Sequence, residues 1–423
     1  MTRSIAARTA IRHALMIVWL GLAGGAIAQT AAPPAADPAK ILRPEVADAV
    51  NAAQDAARGG QKDVAESKLR EAAATPNLSM FEQAVIERGR AGVSLSQSDW
   101  PQAIRSLEVV VNSNQFSGAD QLQMIELLGK ISYQEKDYLR AVSWLKRYAN
   151  EGGSDPAVRD LLPQALYLAN EFKAAADEVE ARVAADEAAG RPTPEQTLRL
   201  LTSCYVQLKD DAGYVRTLER MAQAAPKPEY WSELLSRVSK QPGFSERLWI
   251  DVYRLRLAAN LMRSADEYVE LAQLALQAGY PAEALTVIDR GLSLSLLGNG
   301  KDAAAHTALR ERASKAAEKD SVDLGRAEAS AKSAREGDTL VNIGYAYLTA
   351  GQVSKGLALM EQGLAKGNLK RPDEARLHFG QALWQAGRKA DAATAFASVQ
   401  GTDGSAALAR VWSAFVRSPA GKG

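Results

Sequence analysis

The strongest constraint on what this 423-residue chain can fold into is an internal repeat. Segments 266–291, 338–363 and 374–399 align on one pattern. The first carries Leu271-Ala272, Gly279, Pro281, Ala284 and Ile288. The second carries Ile343-Gly344, Tyr347, Gly351, Val353, Gly356 and Met360, and the third Phe379-Gly380, Leu383, Gly387, Ala392 and Phe396. Ala272 to Gly344 is 72 positions, two periods of 36, and Gly344 to Gly380 is 36 again. A degenerate pair of helices from Asp302 to Ala334 is expected to fill the missing period. A period in this range is the mark of a stacked array of two-helix units. The spacing has a physical basis: a small residue in the first helix admits the second helix, glycine closes the turn at positive φ, and a small residue further on sits at the helix crossing.

Weaker spellings of the same pattern extend upstream. Gly60, Ala65, Leu69 and Ala72 form one unit; Ala91, Trp100, Ala103 and Leu107 a second; Leu128-Gly129, Tyr133, Tyr138, Ala141 and Leu145 a third; Leu162, Tyr167, Phe172, Ala175 and Val179 a fourth. Tyr205, Tyr214, Leu218 and Pro226 make a degenerate fifth, and Trp231, Leu234 and Phe244 open a sixth. From Glu45 onward apolar residues recur every three or four positions with no alternation of period two, so the chain reads as all-α. Residues 404–415 supply a last helix to cover the end of the stack.

Three features of composition exclude broad function classes. Hydrophobic residues at 47% and charged residues at 24% argue against wholesale disorder. The balance of 51 Lys+Arg against 50 Asp+Glu, net +1, excludes a nucleic-acid binder driven by bulk charge. Three histidines and one cysteine leave little from which to build a metal site, and neither metal nor cofactor is expected. Cys204, in the run Leu200-Leu201-Thr202-Ser203-Cys204-Tyr205, reads as a buried structural thiol.

The first residues read as an export signal. Arg3, Arg8 and Arg12 precede the apolar run Ala14 to Ala28, which ends in Ala26-Ile27-Ala28 before Gln29. The run is shorter than the roughly 20 residues needed to cross a bilayer and is broken by Gly21, Gly24 and Gly25, so cleavage is expected, with a retained anchor as the alternative. No cysteine follows the site to carry a lipid. Removal leaves 48 basic against 50 acidic residues, so an exported, slightly acidic soluble protein is expected, with the periplasm as its destination. The expected organisation is a signal peptide (1–28), a Pro/Ala-rich spacer (29–44), an N-terminal helical block (45–189), a hinge (190–194), a C-terminal block (195–400), and a capping helix with tail (401–423).

No catalytic motif survives inspection. Gly298-Asn299-Gly300-Lys301 is followed by Asp302 rather than Ser/Thr and reads as an interhelical turn. His306 and His378 have no His or Cys partner at ligand spacing, and no Gly-x-Ser-x-Gly elbow is present. Asp210-Asp211 and Asp186-Glu187 read as solvated charges. Of the tryptophans after the signal, Trp100, Trp144, Trp231, Trp249 and Trp412 occupy segments where a repeat expects a core residue. Trp384 is the exception, because Leu383 already fills the core position.

The order of aromatic or Leu, Leu then Gly/Ala, Tyr, a turn, Ala, an aromatic, Ala and a closing Pro resembles the tetratricopeptide repeat, over Glu45 to about Gln400. The resemblance implies a right-handed α-solenoid of TPR-like helical hairpins, a non-enzymatic fold whose first helices line a concave face for a protein partner. In that register Glu126, Lys130, Gln273, Tyr345, Gln381 and Trp384 face the groove. Their mixed character lacks the Lys/Asn/Arg carboxylate clamp of chaperone-binding tetratricopeptide domains. A narrower resemblance spans Pro228 to Phe415. Pro228-Glu229-Tyr230-Trp231, Gly279-Tyr280-Pro281-Ala282-Glu283-Ala284, Gly344-Tyr345-Ala346-Tyr347 and Gly363-Leu364-Ala365-Lys366-Gly367-Asn368 are similar to the periplasmic repeat proteins encoded beside TonB–ExbB–ExbD systems. It implies TonB, ExbB or ExbD as partners in iron-carrier uptake, with Gly356 departing from the Ala expected at its crossing. The alternatives are a scaffold for envelope polysaccharide, pilus or outer-membrane protein assembly, and an enzyme with an unrecognised site.

The unit around 210–213 has lost its turn and crossing consensus, and Gly190-Arg191-Pro192-Thr193-Pro194 reads as a break in the stack. Limited proteolysis is therefore expected to cut first between Gly190 and Asp211, leaving a fragment from about Pro194 that stays helical by circular dichroism. First cleavage within 271–396, or an unfolded fragment, contradicts this register.

Overall fold

A computed structural model describes residues 40–421; the expected signal peptide and all but the last residues of the spacer lie outside them. The described residues fall into two compact units, one up to Glu178 and one from Val179. Both are helical, with no strand among the described residues.

The N-terminal unit is a run of antiparallel hairpins: α1 (Pro44–Arg58) with α2 (Lys62–Ala73), α3 (Met80–Ser96) with α4 (Trp100–Asn112), and α5 (Gly118–Gln134) with α6 (Tyr138–Asn150). The short α7 (Pro156–Arg159), α8 (Leu161–Leu168) and the first part of α9 (Phe172–Ala188) follow. Each hairpin turn contains one residue at positive φ: Gly60, Ser98, Lys136 and Asn170. After Ser98 and Lys136 comes an aspartate that caps the next helix, Asp99 accepting from the Gln102 N–H at 3.1 Å and Asp137 from the Arg140 N–H at 3.2 Å. The unit's first turn is anchored by a buried carboxylate. Glu82 closes a capping box with Ser79 and receives both Arg43 Nε (2.7 Å) and Nη2 (2.9 Å), and that pairing lowers its pKa to about 2.

The C-terminal unit continues with α10 (Glu195–Leu208) and α11 (Asp211–Ala224), α12 (Pro228–Ser239), a 3-10 turn at 246–248, and α13 (Trp249–Ala258). The hairpin α14 (Ala265–Gln277) and α15 (Pro281–Ser293) follows. Next comes α16 (Ala303–Ser333), then the hairpins α17 (Asp338–Thr349) with α18 (Val353–Lys366) and α19 (Pro372–Gln385) with α20 (Lys389–Ala397), and finally α21 (Ser405–Arg417). The clearest repeats are thus hairpins, as their spelling requires. The expected degenerate pair between 302 and 334 is instead a single helix of 31 residues, α16. Its sequence is rich in the strong helix formers Ala, Lys, Arg and Glu, its single Gly325 keeps a negative φ and does not break it, and it buries only His306, Ala313, Leu324 and Ala331.

Small residues set the hairpin crossings. A Cβ at Gly129 would stand 2.8 Å from Leu145, and one at Gly380 would stand 2.5 Å from the Phe396 ring. In α17/α18 the approach is closer still: a Cβ on Gly344 would lie 2.6 Å from the Gly356 carbonyl oxygen, and one on Gly356 2.5 Å from the Gly344 carbonyl oxygen. Gly356 therefore stands where the repeat expects Ala because its partner helix comes to backbone contact. Cys204 is buried, and burial pushes its thiol up to about 11.

The C-terminal unit closes on itself. Helix α21 packs against α20 and also back against α11, α12 and α13. Trp412 stacks on Phe396 at 5.7 Å, and Phe415 meets Trp231 edge-on at 5.6 Å. The capping helix thus covers the end of the array by sealing it against α11, α12 and α13 of the same unit. At the seam the Ser245 N–H donates to the Asp403 carbonyl at 2.9 Å, and Arg247 pairs with both Glu374 (2.7 Å) and Asp403.

Gly344→Val forces a side chain into backbone and should cost about 1–3 kcal/mol or more in urea unfolding followed by circular dichroism. Gly325→Ala, on the exposed face of α16 with nothing within 4 Å, should gain about 0.5–1 kcal/mol.

Candidate functional site

The interior of the C-terminal unit, where a concave groove was expected, holds a buried polar lattice. Helix α13 contributes Asp251 and Arg254, α15 Glu283, α17 Tyr345, and α19 His378 and Gln381. Arg254 forms a two-pronged pair with Glu283, Nε to Oε1 at 2.8 Å and Nη2 to Oε2 at 2.7 Å, and its Nη1 donates to Asp251 Oδ1 at 2.9 Å. Gln381 Nε2 donates to the same Asp251 oxygen at 2.9 Å. His378 Nε2 lies 3.1 and 3.3 Å from the two Asp251 oxygens. The guanidinium also lies over the rings of Tyr345 (4.5 Å) and Tyr280 (5.4 Å).

Electrostatics follow from that geometry. Burial alone would raise the Asp251 pKa, but His378, Arg254 and the Gln381 hydrogen bond outweigh it and hold the carboxyl below its ordinary range. Burial likewise opposes the Arg254 charge, and Glu283 overcomes it, so the guanidinium stays charged. Burial pushes the Tyr280 hydroxyl up to about 12 and Tyr345 further. Every charge in the lattice is thus paired, the condition under which buried ions are tolerated.

The six residues expected on a groove do not form one site. Glu126 and Lys130 are half-buried on α5 of the N-terminal unit and pair with each other. Gln273 is exposed on α14. Tyr345 and Gln381 have 0% exposure and belong to the lattice; they face inward, but helix α13 fills the space they face. Trp384 is half-buried, packs on Trp412 and Phe415, and its indole N–H donates to the Gly421 carbonyl at 3.3 Å. It is held under the C-terminal end of the described chain. Conversely Trp249, expected in the core, is 37% exposed and lies beside Phe244 and Tyr253. Tyr345 and Gln381 meet at one repeat period, 36 positions, but their charged partners Arg254 and Asp251 lie 91 and 130 positions upstream, which the repeat spacing does not signal.

The open surface lies elsewhere. A cleft of about 980 Å³ runs between α11, α12 and α21, and an adjoining cavity of about 260 Å³ lies between α12 and α13; Ser236 and Lys240 line both. Arg216, Glu219, Arg237 and Arg410 line the larger one. Because Arg410 comes from α21, this wall exists only in the closed unit. Among the described residues no cluster of three His, Cys, Asp or Glu side chains could hold a metal, and no helix is long and apolar enough to cross a membrane.

No protein-family model matches the chain, and no curated protein matches it. Among solved structures, the Naa15/Naa10 complex bound to HypK-THB aligns at 13% identity and a TM-score of 0.30, covering 85% of this chain and 59% of that one. This chain therefore spans less than two thirds of that protein's length. Yeast Tom70 aligns at 11% identity and a TM-score of 0.25, covering 86% and 94% of the two chains. The TPR domain of P58(IPK) aligns at 16% identity and a TM-score of 0.23, covering 87% and 97%. These are distant likenesses of fold and carry no argument about function.

Replacing Arg254 by Gln leaves half-buried Glu283 without its cation and buried Asp251 with only His378 and Gln381. It should destabilise the protein by about 3–5 kcal/mol in denaturant unfolding. In that variant burial is less opposed at Asp251, so its folded pKa rises from its depressed position, although His378 and Gln381 still hold it down. The deficit should accordingly be largest near neutral pH and shrink as pH falls through the variant's folded Asp251 pKa.

Proposed function

We propose that this chain is a non-enzymatic periplasmic scaffold that binds protein partners through its helical repeats, as an accessory of a TonB–ExbB–ExbD complex serving iron-carrier uptake. The observation that carries the scaffold reading is the architecture itself. Stacked hairpins present a broad, rigid helical surface, and the described surface opens into a long cleft rather than an enclosed pocket with converging acids and bases. The buried ionisable lattice is fully paired and closed to solvent, which suits a structural role. Export is supported by Arg3, Arg8 and Arg12 ahead of the apolar run ending at Ala28. The TonB assignment rests on the likeness of the motifs between Pro228 and Phe415 to the repeat proteins of those systems.

Mild crosslinking in intact cells, followed by capture of the full chain from the periplasm, tests both parts. Recovery of ExbB, ExbD or TonB, together with slower growth of a deletion strain on iron carriers, is the expected outcome. Normal receptor-dependent uptake in the deletion strain overturns the TonB assignment, and recovery of the chain in the cytosol overturns the periplasmic one.

A further inference from the structure

We propose that the two adjoining cavities along α12 form one binding groove for an extended acidic peptide segment that also carries an apolar side chain. This rests on the scaffold reading and names the chemistry of its partner. Both signs of charge line the groove, but their states differ. Asp211 and Glu233 are both held by Arg237, at 2.9 and 2.7 Å. Glu267, in the smaller cavity, is held by Arg256 and by the backbone N–H groups of Arg263 (2.7 Å) and Ser264 (3.1 Å). Glu219 is sunk into the wall, pushed up by burial, and faces Arg410 at 3.9 Å.

The cations are less fully engaged. Among the described residues, the Lys240 ammonium has no hydrogen bond or ion pair, although it lines both cavities. Arg216 is exposed; it reaches the Tyr205 hydroxyl and shares the Glu219 carboxylate with Arg410 only through space, with no ion pair of its own among the described residues. Arg410 is largely exposed and faces Glu219 at 3.9 Å. Arg256 Nε, lining the smaller cavity, is a buried donor without an acceptor. The lining thus carries five cations against four carboxylates, and its spare donors, Lys240 and Arg256 Nε, are without acceptors, which an extended acidic peptide supplies through its carbonyls and side chains. The Trp249 and Tyr253 rings, 6.2 Å apart beside Lys240, offer an apolar platform at one end.

The test is fluorescence anisotropy of the full chain with a short fluorescein-labelled peptide of glutamates around one phenylalanine, against its all-glutamine counterpart. The glutamate probe should bind roughly tenfold tighter or more, weakening as salt is raised. The doubly charge-reversed Lys240→Glu, Arg216→Glu chain, altered only at exposed positions, should lose roughly tenfold in affinity for that probe with unchanged circular dichroism. Trp249→Ala should weaken both probes. Equal binding of the two probes, or full binding by the double variant, overturns the assignment. If the crosslinked partners are still captured while the glutamate probe does not bind, the groove assignment fails and the scaffold reading stands. Loss of both defeats both.

Discussion

The C-terminal unit depends on one guanidinium kept charged away from water. A buried arginine is tolerable only if its donors are met by carboxylates or other acceptors at hydrogen-bond distance. Arg254 meets that condition with Glu283 on one side and Asp251 on the other. Asp251 is in turn held by Gln381 and His378, which belong to a helix more than a hundred residues further on. The lattice thus ties α13 to α15 and α19 with directional bonds, and Tyr345 lies against the guanidinium to complete the packing. Apolar contacts tolerate sliding between helices; a two-pronged arginine–carboxylate pair does not, so the register of α13 within the unit is set by this cluster.

Filling the interior moves the accessible surface outward. The inward-facing positions of α17 and α19 contact the unit's own α13, so they present nothing to a partner. Closure by α21 then creates a different feature: a cleft with walls from α11 and α12 on one side and Arg410 on the other. Its ends are stabilised by the aromatic cluster of Trp231, Trp412 and Phe415 and by the Arg247 pairs with Glu374 and Asp403. Those contacts account for Trp231 and Trp412, with Trp384 packed against the same cluster. Trp249 stays outside the cluster and borders the adjoining cavity.

The hairpin array was legible because its positions are decided locally. A left-handed turn residue, a small residue at the crossing and apolar residues at three- and four-residue spacing are needed in each unit whatever surrounds it. The spelling is clear where glycine takes the turn, as at Gly279, Gly351 and Gly387. It is weak where Ser98, Lys136, Asn170 or Lys209 adopts the same positive φ, since these residues do not announce it. The same locality explains why 303–333 is one helix where the period implies two: its strong helix formers outweigh the single Gly325, and no proline or turn cluster interrupts them.

By itself the sequence determined an all-α chain, the positions of most hairpins, the need for glycine at the closest crossings and a last helix after Gly404, because each follows from periodicity and sterics within a few turns of chain. Only the tertiary structure decided that the last helix returns to earlier helices of the unit, that Tyr345 and Gln381 are interior, and that Lys240, Arg216 and Arg410 share one cleft. The first of these follows from the last helix docking on α11, α12 and α13, the second from Asp251 meeting Gln381 and His378 more than a hundred residues away, and the third from Arg410 arriving beside α11 and α12. Local spacing records none of them, because each is a contact between helices far apart in the chain.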